Sequence, residues 1–139
     1  MIEETSAGIV LYRKENTKKL FLLLHYPSGH WDFVKGKMEK NETTHETAIR
    51  ETKEETGITD IVFVENFEEW IEYNFKYRVE LVQKKVVFFL AETKTEEIKI
   101  SHEHSGYTWM DYNASMEKTT FDNAKIVLTK AEKLLSNTL

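Results

Sequence analysis

Gly36–Ile58 reads GKMEKNETTHETAIRETKEETGI, and how this stretch is read decides the fold. On a helix turning about 100° per residue, with Arg50 at zero, Glu54 points near 40°, Glu51 near 100° and Glu55 near 140°. Ala48, Ile49, Thr52 and Thr56 point between about 160° and 260°. One face is therefore expected to pack and the other to gather negative charge. Thr43-Thr44-His45-Glu46 has the pattern of a capping box at the helix start. Gly57 suits the left-handed position just past the end. Glutamates about 5 Å apart repel by roughly 3 kcal/mol per pair at an effective dielectric of 20, and by under about 1 kcal/mol in water. A semi-enclosed cluster of them is poorly tolerated without a cation. Hard divalent ions take oxygen ligands and bridge carboxylates to phosphate.

A lone Glu-Glu pair on a helix is usually a solvated face. Here the pattern is longer, Gly-x5-Glu-x7-Arg-Glu-x-x-Glu-Glu-x-Gly, at Gly36, Glu42, Arg50, Glu51, Glu54, Glu55 and Gly57. With each residue type at roughly 6–7% of average protein, these positions coincide by chance in on the order of one window in 10⁸. The stretch resembles the signature of the Nudix hydrolases, and the resemblance covers most of the chain. Thr52 stands where that family more often has an aliphatic residue. It lies away from the carboxylates, so it reads as a change in packing.

Working outward, Ser6–Lys14 and Lys19–Tyr26 read as strands joined by the polar turn Glu15-Asn16-Thr17-Lys18. Pro27-Ser28-Gly29 breaks the chain, and a loop carries residues 30–36. Ile61–Phe67 reads as a strand. Trp70–Leu81 and Lys84–Thr93 read as two more, with a turn near Val82-Gln83. Glu97–Ile100 reads as short and extended, and Gly106–Met110 as a last strand. Thr120–Leu135 repeats its apolar residues at helical spacing (Ala124, Val127, Leu128, Ala131, Leu134, Leu135). Strands with one central and one terminal helix suggest a mixed sheet covered on its faces. The resemblance implies an α+β Nudix fold, an α/β/α sandwich.

The 139 residues suit one domain spanning 1–139. Hydrophobic residues make up 40%, enough for a real core. There is no cysteine, which removes disulfides and thiolate metal sites and fits a reducing cytosol. The first residues, MIEETSAGIV, lack a basic, apolar leader, and the longest apolar runs are too short to span a bilayer. The expectation is a cytoplasmic protein without a membrane role. A net charge of −5 argues against general nucleic-acid binding. It leaves room for a phosphorylated small molecule whose charge is offset by metal and local lysines. No obligate protein partner is inferred.

Hydrolysis of a pyrophosphate linkage needs cations on the phosphate oxygens, an activated water, and donors that hold the chain in line. The resemblance implies Glu54 and Glu55 as core metal ligands with Glu51 close by, and Mg²⁺, with Mn²⁺ as an alternative, as the cofactor. It makes Arg50 a carboxylate-orienting residue and Gly36 a point where backbone approaches the metal. Glu42 supports them. Ile98–Met110, IKISHEHSGYTWM, resembles a hallmark of the asymmetrical diadenosine tetraphosphate hydrolases. In that group the residue matching Glu103 is a metal ligand or the water-activating base, and both roles stay open. The run Ser28–Phe33 followed by Lys35-Gly36 resembles the same group's phosphate-binding segment, with His30 and Lys35 as phosphate contacts. Val34 replaces its usual proline. Lys84, or Lys85 if the alignment slips, matches a phosphate-contacting lysine, here placed beside a hairpin turn. Tyr77 and Phe121 are the implied pair of rings for adenine, with Tyr73 and Tyr107 as alternatives. The implied reaction is Mg²⁺-dependent cleavage of a dinucleoside polyphosphate to AMP and ATP by in-line water attack. Removal of pyrophosphate from RNA 5′ ends, or nucleotide sensing without cleavage, are the rival readings.

Overall fold

Two long strands form the spine of the molecule. The computed structural model describes residues 1–137. β1 (Ile2–Glu15) and β7 (Glu80–Glu92) run parallel from the pair Ile2↔Val82 to Tyr12↔Glu92. The remaining pairings are antiparallel. β2 (Lys18–His25) and β4 (Val34–Lys37) lie against β1, and β3 (Trp31–Asp32) and β8 (Gly106–Met110) against β2. β5 (Val62–Phe63) and β6 (Glu69–Tyr77) lie against β7. The result is one mixed eight-stranded sheet.

Helices cover both faces, so β1 is buried continuously from Ser6 to Arg13, as expected for a strand with no solvated side. On one face, α1 (Thr44–Thr56) contributes Ala48 to a cluster with Ala7, Ile9, Leu22, Leu24, Val34, Val87 and Phe89. On the other, α3 (Asp122–Asn137) packs Ala124, Val127, Leu128 and Ala131 on Val10, Phe21, Phe33, Phe88 and Leu90. Each large side chain removed from water in this way stabilises by about 1.5–3 kcal/mol before entropy is counted. α2 (Tyr112–Lys118) links β8 to α3. The architecture is the expected α/β/α sandwich.

The ends of α1 follow the local signals. Glu46 N donates to Thr43 Oγ1 at 3.1 Å and Thr43 N to Glu46 Oε1 at 2.8 Å. Gly57 closes the helix at φ 79°. Its orientation differs from expectation. Thr47, Ala48, Thr52, Glu55 and Thr56 are buried, whereas Ile49 is 45% exposed. The helix is thus rotated so that Glu51 and Glu55 face the sheet. The cause is Gly36 on β4, where a Cβ would lie 1.9 Å from Glu51 Cδ. A strand residue without a side chain leaves space for a carboxylate, and α1 turns its acids into that space.

Several boundaries also differ. The β6–β7 turn is at Arg78-Val79, with Arg78 at φ 59°, rather than at Val82-Gln83, which lie within β7. Lys84 is therefore a mid-strand residue. The expected strand Ile61–Phe67 shortens to Val62–Phe63 because the chain turns at Asn66, φ 67°. Glu97–Ile100 forms no strand, and the loop 30–36 contains β3 and β4. α2 was not anticipated; Asp111 caps it, its Oδ1 accepting from Ala114 N at 2.9 Å.

Candidate active site

Lys35 and Gly36 are neighbours on β4 and so project to opposite sides of the sheet. A recess lies on each side. On the α1 side a cleft of about 490 Å³ is lined by Glu39, Arg50, Glu51, Glu54, Glu55, Ser101, His102 and Glu103. On the other side a cavity of about 480 Å³ is lined by His30, Asp32, Lys35, Ile71, Tyr73, Phe121 and the first residues of α3.

Arg50 organises the acidic cleft. Its Nε donates to Glu42 Oε2 at 2.6 Å and its Nη2 to Glu42 Oε1 at 3.1 Å. Nη1 donates to Glu51 Oε1 at 2.8 Å and Glu54 Oε2 at 3.2 Å, and Nη2 also reaches the Lys37 carbonyl at 3.0 Å. Arg50 thus ties Glu42, Glu51 and Glu54 together. Its fork, together with bonds from Glu39 N and Thr47, holds the Glu42 carboxyl down at about 2. Glu51 goes the other way: burial pushes its carboxyl above the usual range despite Arg50.

The loop before β8 brings in the second acidic element. Lys99 N donates to Thr56 O at 3.0 Å and Ser101 N to Glu55 O at 3.2 Å, stitching the loop to the end of α1. Ser101 Oγ then donates to Glu55 Oε2 at 2.8 Å, and His104 Nδ1 lies against the same oxygen. Burial raises the Glu55 carboxyl, Ser101 opposes this, and the charge of Glu103 adds to it. Burial also lowers the buried His104, whose Nε2 has no hydrogen-bond partner among the described residues.

The donor chemistry of this cleft fits a hard divalent cation. Glu51, Glu54, Glu55 and Glu103 offer only oxygens, and burial leaves two of them short of compensating positive charge. The carboxylates converge less tightly than the sequence suggests. Among the described residues no three acidic or imidazole groups form a ready coordination cluster. Arg50 draws Glu51 and Glu54 to itself, while Ser101 and His104 hold Glu55.

The second cavity gathers His30, Lys35 and Phe121, three residues singled out from the sequence. Trp31 N donates to Thr120 Oγ1 at 2.8 Å and Thr120 N to Trp31 O at 3.1 Å. These bonds pin the start of α3 to β3 and set the Phe121 ring 5.1 Å from His30. Ser28 Oγ lies 2.6 Å from His30 Nδ1, and burial lowers the pKa of that imidazole. Lys35 Nζ donates to the buried Asp32 at 3.1 Å.

Tyr77 does not join them. It ends β6, is 60% exposed and lies under the Arg78 guanidinium, 5.4 Å from its ring centre. The tyrosine that lines the cavity with Phe121 is Tyr73. Tyr107 is half-exposed on β8 and lines neither recess. Lys84 pairs with Tyr73 across β6–β7 and is bonded to Glu4 at 3.4 Å. Lys85 projects oppositely, onto Trp70.

Sequence reasoning passed over Tyr26, which stacks on His30 at 4.6 Å and presents its edge to His104 at 4.6 Å. Its hydroxyl donates to Phe33 O at 2.6 Å. It lies between His30, which lines the aromatic cavity, and His104, which touches Glu55 of the acidic cleft. Asp32 and His104 were likewise not assigned roles. Their signal was proximity in sequence to Lys35 and Glu103, which says nothing of burial.

Known proteins share this fold. Residues 3–130 match the NUDIX domain. The chain is 32% identical to a bis(5′-nucleosyl)-tetraphosphatase (asymmetrical) of Rattus norvegicus, covering 96% of each. It is also 32% identical to the same-named protein of Caenorhabditis elegans, covering 94% of this chain and 96% of that one. Among solved structures, a C. elegans Ap4A hydrolase binary complex superposes with a TM-score of 0.86 at 31% identity, covering 96% of this chain and 98% of that one.

Proposed function

The chain belongs to the NUDIX domain family, a family of hydrolases that generally use divalent metal ions, and on that premise we propose that it cleaves dinucleoside polyphosphates, diadenosine tetraphosphate foremost, to AMP and ATP in the cytosol. One observation carries the reading. A cavity lined by aromatic side chains and a cleft of carboxylates lie on opposite sides of the single step Lys35-Gly36. A base held between Phe121 and Tyr73 would lead its phosphates past Lys35 toward the acids.

In this scheme Phe121 and Tyr73 stack the base, which contributes about 1–3 kcal/mol. His30, Lys35 and Lys84 hold phosphate oxygens and keep the chain in line. The apolar floor under Ile71 limits water around the base. Glu51, Glu54, Glu55 and Glu103 would hold Mg²⁺ or Mn²⁺, which when bound neutralises phosphate oxygens and makes water more acidic. Glu55 or Glu103 accepts the proton of the attacking water. Arg50 offsets the mutual repulsion of the acids before substrate arrives.

The test is a panel of diadenosine tri-, tetra- and pentaphosphate and 5′-triphosphorylated RNA, each with Mg²⁺, with products separated and timed. Fastest turnover of the tetraphosphate, giving equal AMP and ATP, is expected. Faster release of pyrophosphate from the RNA would reassign the substrate. Binding of all four without cleavage would make the protein a sensor.

A further inference from the structure

Glu4 sits between two lysines on the side of the sheet that carries the aromatic cavity. Its Oε1 accepts from Lys37 Nζ at 3.2 Å and its Oε2 from Lys84 Nζ at 3.4 Å. The register explains the grouping. Glu4 is paired with Lys84, and Lys84 with Tyr73, so the three project together from adjacent strands. Ser6 is paired with Lys37 and Gly8 with Lys35, which puts both lysines of β4 on that same side. From the ring of Tyr73 the surface therefore runs through Lys84 and Glu4 to Lys37 and Lys35, on the strand whose other side meets the acidic cleft. Three cations suit a phosphate chain. A carboxylate in their midst does not, unless it takes the place that phosphate will occupy. Glu4 is 23% exposed between the largely covered Lys84 and the exposed Lys37, and it does not line the acidic cleft.

We propose that Glu4 is a resident counter-anion on the phosphate path: it holds Lys84 and Lys37 until substrate phosphates displace it, and so favours chains of several phosphates over single ones. This rests on the reading of the site given above. A lone phosphate gains little by exchanging one anion for another. A longer chain engages both lysines at once and displaces the carboxylate. As product leaves, Glu4 recaptures the lysines, which speeds release.

Isothermal titration with inorganic tripolyphosphate tests this without needing turnover. Glu4→Gln should tighten tripolyphosphate binding about three- to tenfold, the effect of one charge about 6 Å away at an effective dielectric of roughly 80 to 40. KM should fall with it and kcat should not rise. Glu3→Gln removes the same charge from the neighbouring residue, on the opposite side of the strand, and should bind as the parent does. A Glu4→Gln protein with parental or weaker affinity overturns the proposal, as does equal tightening in Glu3→Gln. A mere strand tie would lower the melting temperature and leave affinity alone. If the parent binds no tripolyphosphate, the phosphate path itself fails; if the parent binds and Glu4→Gln binds no tighter, only this inference fails.

Discussion

Gly36 is where one missing side chain decides the chemistry. With a Cβ there lying 1.9 Å from Glu51 Cδ, Gly36→Ala must push the carboxylate or the helix away. A displacement of about 1 Å in a catalytic group can cost about 10²-fold in rate. Turnover of the tetraphosphate is therefore expected to fall by about that factor while the melting temperature changes little, measured by steady-state kinetics beside a thermal scan. Glu42 shows the opposite situation, a carboxylate held charged. Its folded pKa of about 2 lies below the ordinary 4.5. Its stabilisation is then complete above pH 4.5 and lost as pH falls from 4.5 toward 2. Glu42→Gln should be less stable than the parent at neutral pH, and the gap should narrow across that window in thermal scans at stepped pH.

At the scale of elements, what the sequence reveals depends on how local the determinant is. The caps of α1 are set by residues three or four apart, and Thr43, Glu46 and Gly57 are legible as such. The rotation of α1 is not. Helical periodicity gives relative angles, and only the space above Gly36, on a different element, turns Glu51 and Glu55 inward and leaves Ile49 outside. The β6–β7 turn has no Gly, Pro, Asn or Asp at Arg78-Val79 to announce it, so it was sought at Val82-Gln83. The adenine ring partner shows the same limit. Tyr73, Phe75 and Tyr77 share one face by alternation, and parity cannot say which lies at the cavity. Tyr73→Ala should weaken substrate binding by about 1–3 kcal/mol, and Tyr77→Ala should do so far less. The two Michaelis constants, corroborated by direct titration with ATP, check this; the reverse order would move the base to the hairpin tip.

For the whole molecule, the sheet does two jobs at once. The parallel pair β1–β7 carries a core on each side, and β4, hung on the edge of β1, passes one residue to each face. The aromatic cavity and the acidic cleft are thereby separated by the thickness of one strand and held at fixed distance by a close-packed interior. The acids were evident from sequence because they form a contiguous motif. The cavity is only partly so, because Asp32, Ile71 and the first residues of α3 reach it from three separate segments. In the proposed function, the α1 carboxylates drive metal-dependent cleavage of a phosphate chain anchored across β4. The most direct measurement is AMP release from diadenosine tetraphosphate, with and without Mg²⁺, by the parent and by Glu54→Gln, an exposed position where folding should be spared. Equal AMP and ATP, strict dependence on the ion, and a loss of at least about 10²-fold in the variant at unchanged melting temperature are expected. Parental rates in Glu54→Gln, or release of two ADP, would contradict the proposed function.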